Sequence, residues 1–167
     1  MSFPDPSHEL FKNLHLKYHA MVLQICLGFM KGDAVQAANL SQEIFINIWN
    51  ALSKFQGEAS YKTSIYRITV NTCLLYSKVP QKKEGLSFQA NPLLSGAYYE
   101  PIEEHFIALY QAIGQLPELE RLIIMLVLDE LEYGEISKIL GINAIPLRLR
   151  IHRIKKKMMM LLNTIEE

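Results

Sequence analysis

Residues 132–157 read EYGEISKILGINAIPLRLRIHRIKKK, and this stretch decides the fold class. It predicts two helices separated by a tight turn. The first runs from about Tyr133 to Leu140, with Ile136, Ile139 and Leu140 at helical spacing. Gly141 supplies a left-handed stop, a conformation that costs little without a Cβ. Asn143 is a candidate N-cap for the second helix. Pro146 falls in that helix's first turn, where a missing N–H breaks no bond. Leu147, Ile151, Ile154 and Met158 follow at steps of four, three and four, so they share one face. Arg148, His152, Arg153 and Lys156 fall on other faces. Such a helix buries one seam and offers cations to a polyanion, the layout of a helix-turn-helix with a basic recognition helix.

Charge around this stretch is segregated. The whole chain has 167 residues, half of them hydrophobic, with 17 basic against 17 acidic side chains. Residues 1–79 hold seven basic and five acidic groups, residues 80–142 four and ten, and residues 143–167 six and two. A polyanion partner is therefore argued from the last helix and not from the overall balance. Cys26 and Cys73 lack CxxC spacing and read as buried thiols, with a single disulfide as the alternative. No apolar run approaches the ~18 residues that span a bilayer, and the N-terminus shows no signal-peptide core. The expectation is a soluble, cytoplasmic protein with no cofactor.

Upstream, residues 1–8 contain Pro4 and Pro6 and read as a loose arm. A helix is expected over about Glu9 to Met30, through Leu10, Leu14, Tyr18, Met21, Val22, Ile25 and Phe29. Lys31-Gly32-Asp33 is a turn. A second helix, about Ala34 to Lys54, carries Ile44, Ile48, Leu52 and Phe55 on one stripe, with Phe45 and Trp49 beside it. A third, about Tyr61 to Lys78, points Ile65, Ile68, Thr72 and Leu75 inward and Tyr66 and Arg67 elsewhere. Residues 79–101 hold three prolines and two glycines and read as an interdomain linker. The helical period returns at Ile102, through Phe106, Leu109, Tyr110 and Ile113, and again after Leu116-Pro117 through Leu119, Leu122, Ile123 and Leu126. The predicted fold is all-α. It has two small helical domains, 1–78 and 102–167, joined by a linker. The second is a four-helix helix-turn-helix domain, winged-helix-like but without a wing.

Two blocks carry a resemblance. Asn39-Leu40-Ser41-Gln42-Glu43-Ile44-Phe45, Trp49, Phe55-Gln56-Gly57-Glu58-Ala59-Ser60, Tyr66-Arg67-Ile68 and Asn71 resemble region 2 of the bacterial extracytoplasmic-function sigma factors. Leu116-Pro117, Glu120-Arg121, Tyr133-Gly134-Glu135-Ile136-Ser137, Leu140-Gly141 and Arg150-Ile151-His152-Arg153 resemble region 4. The resemblance implies an alternative sigma factor without catalytic activity. Its partners would be core RNA polymerase, promoter DNA and an anti-sigma factor, with no small-molecule substrate and no membrane insertion. It places polymerase contacts on Asn39, Leu40, Gln42, Glu43 and Trp49. The −10 element would meet Tyr61, Lys62, Thr63, Tyr66, Arg67 and Asn71. The −35 element would meet Arg148, Leu149, His152, Arg153 and Lys156.

These residue types suit the work. Aromatics stack unpaired bases, amides read base edges and cations hold phosphate, so a surface built from them favours single strands over duplex. Arg148 and Arg153 can fork to guanine or clamp phosphate, whereas Lys155, Lys156 and Lys157 suit phosphate alone. The sequence also departs from the family pattern. Ser64 stands where Trp is usual, and Leu74 and Leu75 where polar or basic residues are common. Asn39 replaces an acid, and Ala37-Ala38 replace acidic residues. Ile145-Pro146 replace Gly-Thr, and Leu149 replaces a small polar residue. These changes bear on base specificity and strand opening more than on fold.

Plainer readings stand beside these. Trp49 reads first as a packing residue, Tyr66 and Arg67 equally as a solvated face, and His152 as an exposed polar residue. Met158-Met159-Met160 reads as C-terminal packing. The histidines lack ligand spacing, so no metal site is expected. The acids Glu103-Glu104 and Asp129, Glu130, Glu132 and Glu135 read as solvated faces and not as catalytic pairs. No phosphate loop or nucleophile elbow occurs. Two other functions remain open: a sigma-like module that sequesters an anti-sigma protein, and a plain helix-turn-helix regulator that dimerises through its N-terminal half.

Overall fold

A computed structural model describes residues 6–55, 61–79 and 103–166. Its regular elements there are helical. They are α1 (Pro6–Phe29), α2 (Ala34–Ala51), α3 (Tyr61–Lys78), α4 (Glu104–Gly114), α5 (Glu118–Leu128), α6 (Tyr133–Leu140) and α7 (Ala144–Glu166), with one 3-10 turn at Leu52–Lys54. The family blocks' Gln56-to-Ser60 segment, the linker from residue 80 to 101, and Ile102 lie outside the described residues.

Local chemistry explains the boundaries. The helix expected from Glu9 begins instead at Pro6, a residue suited to a first turn because its fixed φ is helical. At the far end Lys31 and Gly32 take φ of 60° and 85°, and the Gly32 N–H reaches back to the Leu27 carbonyl at 2.8 Å. Asp33 then caps α2, its Oδ1 accepting from the Gln36 N–H at 3.1 Å. Gly141 adopts φ 69°, as its place after Leu140 predicts, and its N–H bonds the Ser137 carbonyl at 2.8 Å. The Asn143 carbonyl accepts the first bond of α7 from the Leu147 N–H.

Helices α1–α3 pack on one another, and α4–α7 do likewise. The two groups also meet: α1 lies against α4 and α5, and α3 against α5 and α6. Their buried side chains form one continuous cluster, from Val22, Ile44 and Ile65 to Ile123, Leu126 and Ile151. Where Gly28 passes α5, a Cβ would sit 2.2 Å from the Met125 Sδ, so the missing side chain permits that approach. Arg121 is buried and spans the seam. Its Nε donates to the Phe29 carbonyl at 3.0 Å and its Nη1 to the Leu116 carbonyl at 2.7 Å. The guanidinium also lies over the Phe29 ring.

Two expectations change. The inward side of α3 is Ile65, Tyr66, Thr69, Val70, Thr72 and Cys73. Leu75 is instead 62% exposed, because the C-terminal helices cover α3 from a second side that period counting on one helix cannot see. In the methionine run only Met158 is buried, while Met159 and Met160 face solvent. Cys26 and Cys73 are free and buried, and burial raises the Cys26 thiol well above its ordinary range.

Candidate nucleic-acid interface

Helix α7 is a two-sided element. Leu147, Ile151, Ile154 and Met158 are all buried, which anchors the helix along its whole seam. Arg148, Leu149, His152, Arg153 and Lys156 are all exposed. Two cations are steadied by the first helix of the motif. The Lys155 Nζ donates to the Tyr133 hydroxyl at 3.0 Å, and the Arg148 guanidinium lies 6.0 Å from the Tyr133 ring centre. The arrangement offers a convex helix with cations on its flanks, the shape and charge that a major groove accepts.

The candidates on α3 divide between two surroundings. Asn71 is exposed, on the strip that also carries Leu75 and Lys78. Tyr61 is half-buried and packs edge-on against Phe55, with ring centres 5.7 Å apart. Thr63 is also half-buried. The other three engage the C-terminal helices. Tyr66 is buried, and its hydroxyl donates to the half-buried Asp129. Arg67 donates through Nε and Nη2 to the Lys138 carbonyl, at 3.3 and 3.2 Å. Lys62 lies 3.6 Å from Glu135. Burial first, and then Asp129, raises the Tyr66 phenol's affinity for its proton. In this arrangement Tyr66 is therefore held beneath α5 and α6 and does not lie on a free surface.

On α2, Glu43 and Trp49 are exposed and Asn39 and Gln42 half-buried. Leu40 is fully buried and supports the helix from beneath. Trp49 belongs to an aromatic group: Phe11 and His8 meet it edge-on at 5.4 and 5.2 Å, and Phe11 also meets Phe45. It thus packs on one side and faces water on the other. Two neighbours were not singled out from sequence. Val35 and Ile46, the latter 59% exposed, share the outward side of α2 with Asn39, Gln42 and Glu43. Extending the three-and-four spacing outward as well as inward would have found them. Ile145, which the sequence marks as a departure from the family pattern, is 83% exposed on α7.

Among the described residues no group of three or more His, Cys, Asp or Glu is placed to hold a metal, and no helix is long and apolar enough to cross a membrane.

The comparisons with known proteins agree with this geometry. The Sigma-70 region 2 family matches residues 14–78, and the Sigma-70 region 4 family matches residues 106–158. The RNA polymerase sigma-H factor of Pseudomonas aeruginosa is 27% identical over 160 residues, covering 87% of this chain and 82% of that protein. The ECF RNA polymerase sigma-E factor of Escherichia coli K12 is 29% identical over 162 residues, covering 89% and 84%. Two solved structures share the fold. CnrH, solved with the cytosolic domain of CnrY, superposes with a TM-score of 0.66 at 18% identity, covering 94% of this chain and 90% of that one. The sigma factor RpoE of Bartonella quintana, solved with the anti-sigma factor NepR, gives 0.67 at 19%, covering 92% and 96%. With both regions matched in order on an all-helical fold, the chain belongs to the sigma-70 family, as an alternative sigma factor of the extracytoplasmic-function type that directs transcription initiation.

Proposed function

We propose that residues 1–78 and 102–167 act as two domains joined by the 79–101 linker, and that they divide promoter recognition between them. The C-terminal domain reads the −35 element through Arg148, Leu149, His152, Arg153 and Lys156. The N-terminal domain holds core RNA polymerase through the outward side of α2, at Asn39, Gln42, Glu43 and Trp49, with Leu40 supporting that helix from the core. It captures the opened −10 strand through Tyr61, Lys62, Thr63, Tyr66, Arg67 and Asn71. The observation that carries this reading is α7, whose apolar seam is wholly buried while its cations stand clear.

Because Lys62, Tyr66 and Arg67 are engaged by α5 and α6, strand capture requires α3 to part from those helices. Binding to the polymerase is the event that separates them. The chain performs no chemistry itself and works in the cytoplasm, where core polymerase is found. An anti-sigma factor is the expected regulator, in line with the NepR complex of the Bartonella quintana neighbour. Run-off transcription with core polymerase over a promoter library tests the reading. Arg148→Glu with Arg153→Glu should abolish promoter choice and leave core binding intact. Gln42→Ala with Glu43→Ala should weaken core binding and leave duplex binding by the chain unchanged. If both pairs give the same defect, the division of labour is wrong.

A further inference from the structure

We propose that Ile145 and Leu149 form an apolar base-reading strip that takes up thymine C5-methyl groups in the major groove. The proposal rests on the assignment of α7 to the −35 element and specifies how that helix chooses bases. The two side chains lie one helical turn apart, 83% and 53% exposed, on the side opposite Leu147 and Ile151. Among the described residues neither joins the hydrophobic core cluster. Arg148 and Lys155 are drawn toward Tyr133 on one flank, and Arg153 is exposed on the other. The cations therefore sit where two phosphate backbones would rise, and the row between them is aliphatic over its first turn, at Ile145 and Leu149, before His152 and Lys156 continue it. That charge layout selects a polyanion over an apolar protein groove as the occupant.

The base edges decide what an aliphatic line can read. In the major groove the thymine methyl is the apolar group, while cytosine, guanine and adenine present donors or acceptors. An isoleucine or leucine against those polar edges leaves them unpaired, and against a methyl it buries hydrocarbon from both sides. Residues four apart on a helix are about 6 Å apart along its axis. At 3.4 Å per base-pair step, that spacing meets thymines roughly two steps apart.

Holoenzyme assembled from the full chain and core polymerase would first select an upstream element from a random duplex library. Each thymine of that element is then replaced by deoxyuracil, which removes only the methyl. At two thymines about two steps apart, uracil should weaken holoenzyme binding roughly fourfold each, the worth of one buried methyl. Ile145→Ala and Leu149→Ala should each lose this discrimination at one position, so that the thymine and uracil duplexes bind equally there. Arg148→Ala should weaken the thymine duplex and its uracil counterpart by the same factor, leaving their ratio unchanged. Equal affinity for thymine and uracil duplexes, or full discrimination in both alanine variants, would overturn the strip alone. If no upstream element is enriched, the assignment of α7 falls with it.

Discussion

Tyr66 brings a hydroxyl into the seam between α3 and α5, where Asp129 accepts from it. Its raised proton affinity has a definite sign in stability. The folded chain keeps a phenol proton that the unfolded chain releases above about pH 10, so the contribution is intact below that pH and declines as pH rises. We expect urea midpoints to fall above about pH 10. Tyr66→Phe should flatten that decline and cost about 1–2 kcal/mol at neutral pH. His15 behaves oppositely. Burial, and then His19, lowers its affinity for a proton, so its contribution is present above 6.5 and is lost as pH falls below. His15→Gln should reduce the acid-side loss of stability in the same titration. Arg121→Ala would leave the Phe29 and Leu116 carbonyls without their donor. We expect a loss of about 2–4 kcal/mol by denaturant melts. The roles of Tyr66 and Arg121 were not legible in sequence, because a deciding partner is remote: Tyr66 meets Asp129 63 positions away, and Arg121 meets Phe29 92 positions away. The amphipathic tyrosine read equally well as an outward residue.

Helices as elements were easier to read. The period of three and four placed α3 and α6 at their observed bounds, and Gly141 ended α6 as a residue without Cβ should. The seam of α7 was legible residue by residue, because one buried stripe on a single-sided helix is the case that periodicity describes. Helix α3 misled because it has two covered sides, one from α1 and α2 and one from the C-terminal group. Counting from one stripe then put Leu75 inside and Tyr66 outside. Gly28 tests the contact between α1 and α5. Alanine would favour the helix by about 0.5–1 kcal/mol over glycine. Its Cβ would nevertheless collide with Met125, 2.2 Å from Sδ and 2.4 Å from Cγ. Since overpacking costs about 1–3 kcal/mol, Gly28→Ala should lower thermal stability on balance. On a Met125→Ala background, Gly28→Ala should no longer destabilise in the same melt, because the colliding side chain is gone.

At the scale of the molecule, the zero net charge conceals a basic C-terminal helix beside an acidic middle. Promoter binding should therefore weaken steeply with salt although the chain is neutral overall. Removing Arg153 or Lys156 should lower the slope of log affinity against log salt by about one each, measured by filter binding across salt concentrations. The sequence blocks identified both regions and their order. They could not reveal that the two helix groups share a continuous core, because Val22, Ile65 and Ile123 read as members of separate local stripes. The clamp made by Arg121 gives that sharing a place in time. Its link to the Phe29 carbonyl joins positions 92 apart. At a ribosomal pace of about 5–20 residues per second, the end of α1 is synthesised roughly 5–18 s before its guanidinium partner. During that interval the newborn N-terminal helices stand without their C-terminal cover, open to whichever partner is nearest the ribosome.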